Sequence, residues 1–159
     1  MKFYKHVTTV LTWTEETVAI LCMAGIAVLT VGAVISRYFL HYSIAWSEEL
    51  ERYLFIWGAM FGAAVGFKHG AHSGLPLLME KLPLKARQLS SIAISLVVAG
   101  FLVVIVWLGI GLIGLGIESW QVSPATKIPY WVVNFGLVAG LALCAYRVLE
   151  ALAASFFKK

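Results

Sequence analysis

The chain is 159 residues long, 61% hydrophobic and only 13% charged, with a net charge of +4. A soluble domain carries roughly 25% charged residues, so there is too little charge here to coat a soluble globule, and intrinsic disorder requires the reverse composition. Two cysteines cannot make a disulfide scaffold, which leaves a single integral membrane domain over residues 1–159, its excess of Lys and Arg belonging to a membrane face rather than to nucleic acid.

Residues 1–16 come first. Phe3, Val7, Val10 and Leu11 recur at helical spacing, while Lys2, Lys5, Thr8 and Thr12 fall on other faces. That pattern fits either a short amphipathic helix lying on the membrane surface or a tail continuous with the first span. No charged residue occurs from Thr17 to Ser36. A bilayer core of roughly 30 Å needs about 20 apolar residues, so 17–36 is the first predicted span. Glu15 and Glu16 beside the apolar run, and Arg37-Tyr38-Phe39 after it, argue against a cleavable signal sequence.

The second span is less regular. Only 15 residues, Tyr53 to Phe67, separate Arg52 from Lys68, and their helical rise is roughly 22 Å. The helix therefore has to include its charges and run over 46–68. Lys68 then snorkels to one interface, and Glu48, Glu49 and Arg52 lie within about one turn of the other. The uncharged stretch Gln88 to Ile117 has 30 residues, roughly 45 Å as one helix, so span 88–117 must tilt, kink or project. Pro129 stands in the first turn of the last span, 128–146. The predicted fold class is an all-α integral membrane protein with four transmembrane helices.

Lys and Arg set the predicted orientation. The N-terminal tail, the loop after span two and the C-terminal tail hold nine of them, against Arg37, Arg52 and Lys127 on the other side. By the positive-inside rule both termini are cytoplasmic. Aromatic residues gather near the opposite interface, with Tyr38, Phe39, Tyr42 and Trp46 after span one and Trp120, Tyr130 and Trp131 around the third loop.

Ionisable side chains inside a bilayer mark pathways and relays. The central parts of spans one, three and four have none; their polar residues are Thr30, Ser95 and Asn134. This argues against a self-sufficient transport path and against an enzyme. His6, His41, His69 and His72 all lie in tails or loops, away from where a haem ligand in a helix bundle would stand. No metal-ligand spacing is apparent, and Cys22 and Cys144, inside spans one and four, read as packing residues.

Two features rise above this background. Gly58, Gly62 and Gly66 recur every four residues in span two, and Gly136 and Gly140 lead to Cys144 in span four. Small residues on one face let helix backbones approach closely in lipid, which serves either packing within the unit or docking to another membrane protein. The second feature is Trp46-Ser47-Glu48-Glu49-Leu50-Glu51-Arg52. Here Ser47 is a candidate helix cap. Glu48 or Glu49 is spaced to pair with Arg52 along the helix. The cluster reads either as a solvated helix start or as a polar anchor between subunits.

At these residues the chain resembles the small membrane subunit, of the DctQ type, of tripartite ATP-independent periplasmic (TRAP) transporters. The resemblance rests on Arg37-Tyr38-Phe39; on the run from Ile44 through Trp46, Glu48, Glu49, Arg52 and Phe55 to Trp57; on Gly62-Ala63-Ala64 and His69-Gly70-Ala71-His72; and on Ser123-Pro124-Ala125-Thr126-Lys127-Ile128-Pro129. Gly74 and Pro76 depart from the family pattern, in which a basic residue and an Asp follow the loop His, and the region of Asn134 lacks a proline common there.

The resemblance implies a non-catalytic scaffold in the bacterial inner membrane. Its partners are a large membrane subunit, which carries the substrate and Na+ sites, a periplasmic substrate-binding protein, and membrane lipid. No cofactor is expected in this chain. The implied substrates are organic anions such as C4-dicarboxylates, sialic acid or other sugar acids. Arg37, Trp46, Glu48, Glu49, Arg52 and Trp57 are then the candidate anchor at the membrane edge or subunit interface. Tyr42, Trp120, Gln121 and Lys127 are candidate contacts for the binding protein. The rival readings are a stand-alone four-helix transporter, which wants a glutamate that residues 18–35 do not supply, and a membrane anchor of a respiratory enzyme.

Overall fold

The computed structural model describes residues 2–68 and 83–157, which form four helices: α1 (Lys2–Phe39), α2 (Ala45–Lys68), α3 (Leu84–Glu118) and α4 (Tyr130–Phe157). The loop motif containing His69 and His72, with Gly74 and Pro76, lies outside the described residues. The expected all-α architecture is present. α2 and α3 keep close to the runs 46–68 and 88–117, whereas α1 starts 15 residues before the run 17–36 and α4 ends 11 residues after the run 128–146.

The two readings of the N-terminus are resolved in favour of continuity. Residues 2–16 form no separate surface helix; they are the first turns of α1, which runs unbroken for 38 residues. The hydroxyls of Thr12 and Thr14 donate to the carbonyls of Thr8 and Val10, at 2.8 and 2.9 Å, so these polar residues are satisfied within the helix. At a rise of 1.5 Å per residue α1 is roughly 57 Å long, well beyond a bilayer core.

Three of the helices contain stretches long and apolar enough to cross a membrane: Thr8–Phe39, Leu89–Glu118 and Tyr130–Ala153. α2 is not among them, because Glu48, Glu49, Glu51 and Arg52 crowd its first two turns. It is placed instead between two apolar neighbours. The packed pairs are α1 with α2, α2 with α4, and α4 with α3, giving the spatial order α1-α2-α4-α3.

Contacts along these seams fix the helix directions. Arg37 meets Glu48 near one end of α1 and α2, and Glu16 meets Lys68 near the other, so the two are antiparallel. Trp57 lies against Gly136 and Met60 against Gly140, so α2 and α4 run parallel. Gly116 faces Trp131 and Gly109 faces Val138, so α3 opposes α4. The chain thus alternates direction, and the Glu15 region of α1 shares an end with the Arg147 region of α4.

Packing is tightest where the sequence supplies small residues. A methyl on Gly136 would run into the Trp57 indole, and one on Gly140 would sit 2.5 Å from Met60 Cβ. Trp57 in turn stacks on Phe61 with ring centroids 6.3 Å apart. Cys144 is 1% exposed and places its Sγ 3.8 Å from the Met60 carbonyl. Ala64, Ala99, Leu102, Ala145 and Val148 complete this core between α2, α3 and α4. The outer faces are the opposite. Val28 on α1 and Val97 and Trp107 on α3 are more than 70% exposed, as expected of surfaces that meet lipid or another membrane chain rather than water.

Candidate functional site

Two polar ties, one at each end of the helical layer, organise the charged residues. At the first end, Glu49 reaches across to the α3–α4 connection. Its Oε2 accepts the backbone N–H groups of Ala125 at 3.1 Å and Thr126 at 2.9 Å, and its Oε1 accepts the Tyr53 hydroxyl at 3.1 Å. The connection is shaped for this. Ser123 is fully buried, and its hydroxyl sits 2.7 Å from that of Thr126. The Ser123 N–H donates to Ile128 and its carbonyl accepts from Lys127. Trp120 and Lys127 adopt positive φ of 49° and 58°, a region costly for residues with a Cβ. Such backbone persists only where surrounding bonds over-determine it, as the Ser123–Ile128 and Glu49 bonds do here.

The ion pairs expected along α2 differ from those found. Neither Glu48 nor Glu49 pairs with Arg52 among the described residues. Glu48 pairs instead with Arg37 of α1, at 2.8 Å and with both side chains more than half exposed. Glu49 is taken by the loop amides, and Arg52 points outward and is exposed. Partners on other elements won because two backbone donors and a facing guanidinium satisfy these carboxylates better than one flexible neighbour on the same helix. Nor does Ser47 act as the helix cap. The helix starts at Ala45, and the Ser47 hydroxyl donates back to the Ile44 carbonyl at 2.8 Å.

Tyr42, Trp120, Gln121 and Lys127 are all exposed at this same end, the first two by 67% and 87%. Trp46 is also exposed, whereas Trp57 lies inside the unit against Gly136. The glycine row of α2 divides by function. Gly58 packs on Cys22 of α1, Gly66 is half-buried, and Gly62 would admit a methyl without meeting any atom. Gly58 and Gly62 line an open groove on the α1–α2 seam with Ala19, Ile20, Met23 and Ala24.

The tie at the other end was not anticipated from the sequence. The guanidinium of Arg147, 3% exposed, closes on the fully buried Glu15. Its Nε lies 3.2 Å from both carboxylate oxygens and its Nη2 is 2.8 Å from Oε2. Nη2 also donates to the Thr12 hydroxyl at 3.0 Å, and Nη1 to Glu150 at 3.0 Å. Each guanidinium nitrogen is therefore engaged, which is the condition under which a buried pair offsets its desolvation cost. Beside it Lys68 approaches Glu16 at 3.6 Å, and the cavity there, about 550 Å³, is lined by Thr8, Thr12, Trp13, Glu16 and Lys68. The available signal was Glu15 at the edge of span one and Arg147 at the edge of span four, both of which also read as simple boundary charges. Among the described residues no three His, Cys, Asp or Glu side chains come together as a metal site, and both cysteines are free thiols.

An alternating layer of apolar helices, with its charges gathered at the two ends, defines a multi-pass membrane protein. Residues 26–158 match the family model described as tripartite ATP-independent periplasmic transporters, DctQ component, and the chain belongs to that family. Among its relatives are the isethionate TRAP transporter permease protein DctMQ of Oleidesulfovibrio alaskensis, 27% identical over 68% of this chain and 17% of the relative, and the C4-dicarboxylate TRAP transporter small permease protein DctQ of Rhodobacter capsulatus, 30% identical over 68% of this chain and 48% of the relative. The sialic acid TRAP transporter small permease protein SiaQ of Vibrio cholerae is 29% identical over 86% of this chain and 78% of its own length. The chain thus spans less than half the length of the first two.

Proposed function

We propose that this chain is the small, non-catalytic scaffold subunit of a sodium-coupled TRAP importer of an organic anion. The observation that carries this reading is the division of the molecule into satisfied polar ends and bare apolar flanks. Glu15, Glu49 and Arg147 are consumed by internal bonds, while α1 and α3 expose large apolar faces. A chain built this way has surface to offer another membrane protein and lipid.

The large membrane subunit is the partner for those faces, and it carries the substrate and Na+ sites. In the relative named DctMQ the similar region is only 17% of a much longer permease, which supports close association with a larger chain. The named relatives serve isethionate, C4-dicarboxylates and sialic acid, all anions, and an organic anion is the substrate class assigned here. Both termini face the cytoplasm of a bacterial inner membrane. The excess of Lys and Arg on that side supports this. The end bearing Tyr42, Trp120, Gln121 and Lys127 then faces the periplasm and receives the substrate-binding protein.

The test is recovery of the C-terminally tagged chain from its native host in mild detergent, followed by mass spectrometry. A large polytopic membrane protein in about equal amount is the expected companion. A chain that purifies alone and moves a solute across liposomes by itself would overturn the reading.

A further inference from the structure

Lys68 and Glu16 face each other across the ends of α2 and α1 at 3.6 Å, beyond hydrogen-bond length. Their side chains are 35% and 42% exposed, and the Lys68 ammonium meets no closer acceptor among the described residues. Both line the cavity of about 550 Å³ that α1, α2 and α4 border beside the Arg147–Glu15 pair.

The depth of this cavity follows from its own residues. The Arg37–Glu48 pair, with both side chains more than half exposed, marks the opposite membrane boundary. A hydrocarbon core of about 30 Å takes about 20 residues of helix. Counted from Arg37 and Glu48, that length ends at Thr17 of α1 and Lys68 of α2. Glu16 and Lys68 therefore stand together where the headgroup layer begins on their side. Trp13, 69% exposed, lies about one turn further out, at the level where interfacial tryptophans gather.

An apolar groove leads inward from the same place. It is lined by Ala19, Ile20, Met23 and Ala24 of α1 and by Gly58 and Gly62 of α2. Thr12, Glu16, Ala19 and Met23 recur at helical spacing, so the groove continues the cavity's stripe of α1 into the hydrocarbon. A methyl on Gly62 would meet no atom within 4 Å, which leaves the groove open there.

We propose that cavity and groove are one binding site for a phospholipid with a zwitterionic, primary-amine headgroup. The Lys68 ammonium takes the phosphate, the Glu16 carboxylate takes the amine, and an acyl chain follows the groove past Met23 and Gly62. Both polar contacts are charge-assisted. Charge selects the headgroup. Among the described residues Lys68 and Arg147 are outnumbered by Glu15, Glu16 and Glu150, so an anionic headgroup meets net repulsion. A quaternary amine has no N–H to donate to Glu16. The site lies within this chain and stands independently of the scaffold reading.

The test is native mass spectrometry of the full chain, alone and co-expressed with the large subunit. Phosphatidylethanolamine, phosphatidylcholine and phosphatidylglycerol are added at equal concentration. The expected result is binding of phosphatidylethanolamine at least about tenfold tighter than the other two, the scale of one hydrogen bond to a charged group. Glu16→Gln abolishes its preference over phosphatidylcholine, and Lys68→Gln weakens both by about tenfold. Gly62→Leu leaves every charge in place, fills the groove and weakens both without changing their order. Melting in lipid-free detergent shows whether each variant is folded, and Gly62→Leu decides the matter where a charge variant is not.

Equal binding of the three lipids, or preference for phosphatidylglycerol, overturns the proposal. So does an adduct that the chain holds alone and loses in the complex, since the large subunit then occupies this face. If glycerophosphoethanolamine, which has the headgroup and no acyl chains, competes as well as the intact lipid, the site is one for a soluble headgroup and the lipid proposal falls.

Discussion

The carboxylate of Glu49 and the backbone N–H of Thr126 meet at 2.9 Å although 77 residues separate them in the chain. The contact joins the start of α2 to the α3–α4 connection and thereby ties the two halves of the layer at one end. It also brings together two of the sequence segments on which the resemblance to the DctQ-type subunits rests. The spacing of Glu49 in its motif and the Ser-Pro-Ala turn are two sides of one hydrogen-bonded junction.

Glu49→Ala removes the acceptor for two amides and for the Tyr53 hydroxyl. We expect a lower melting temperature in detergent, because the Ala125 and Thr126 amides and the Tyr53 hydroxyl lose their carboxylate acceptor. Hydrogen exchange at residues 123–127 should speed up at the same time. Glu49→Gln keeps an acceptor oxygen and should fall between the two.

The buried pair at the opposite end predicts a larger and asymmetric effect. Arg147→Ala strands the fully buried Glu15 carboxylate and should cost about 3–5 kcal/mol. Replacing both partners, as in Glu15→Leu with Arg147→Met, removes both charges and should recover most of that loss. Unfolding in denaturing detergent for Arg147→Ala and for the double variant checks this; equal losses in the two would show that the pair is not what holds α1 to α4.

Two glycines with similar sequence surroundings should respond differently. Gly136→Ala drives a methyl into the Trp57 indole and should destabilise the isolated chain by about 1–3 kcal/mol. Gly62→Ala meets no atom within 4 Å and should stay within about 0.5 kcal/mol of wild type. The measurement is the thermal unfolding of each purified variant.

Trp120 and Ala151 are both exposed and lie at opposite ends of the layer. With both termini cytoplasmic, Trp120→Cys should react with a membrane-impermeant maleimide once the outer membrane is permeabilised. Ala151→Cys should react only after the inner membrane is also opened. The reverse pattern would invert the proposed orientation.

Much of this protein follows from one-dimensional chemistry. Apolar runs long enough to cross a bilayer have to become helices there, because a backbone in hydrocarbon satisfies its polar groups only internally. The stretches 17–36, 88–117 and 128–146 therefore announced α1, α3 and α4. The charged helix α2 was legible from its length deficit. The glycine rows were legible as close-packing faces, but their partners were not. Nothing in the spacing alone distinguishes Gly58, pressed on Cys22, from Gly62, which is open.

Only the tertiary structure decided what each charge does. Along a helix, Glu48 and Arg52 are natural partners, yet Glu48 went to Arg37, Glu49 to the Ala125 and Thr126 amides, and Arg147 to Glu15. The reason is physical. Helix formation is a local requirement set by the medium and readable from composition, whereas the pairing of a charge depends on which donors the spatial order α1-α2-α4-α3 brings within about 3 Å, and that order is decided by side-chain packing between segments far apart in the chain.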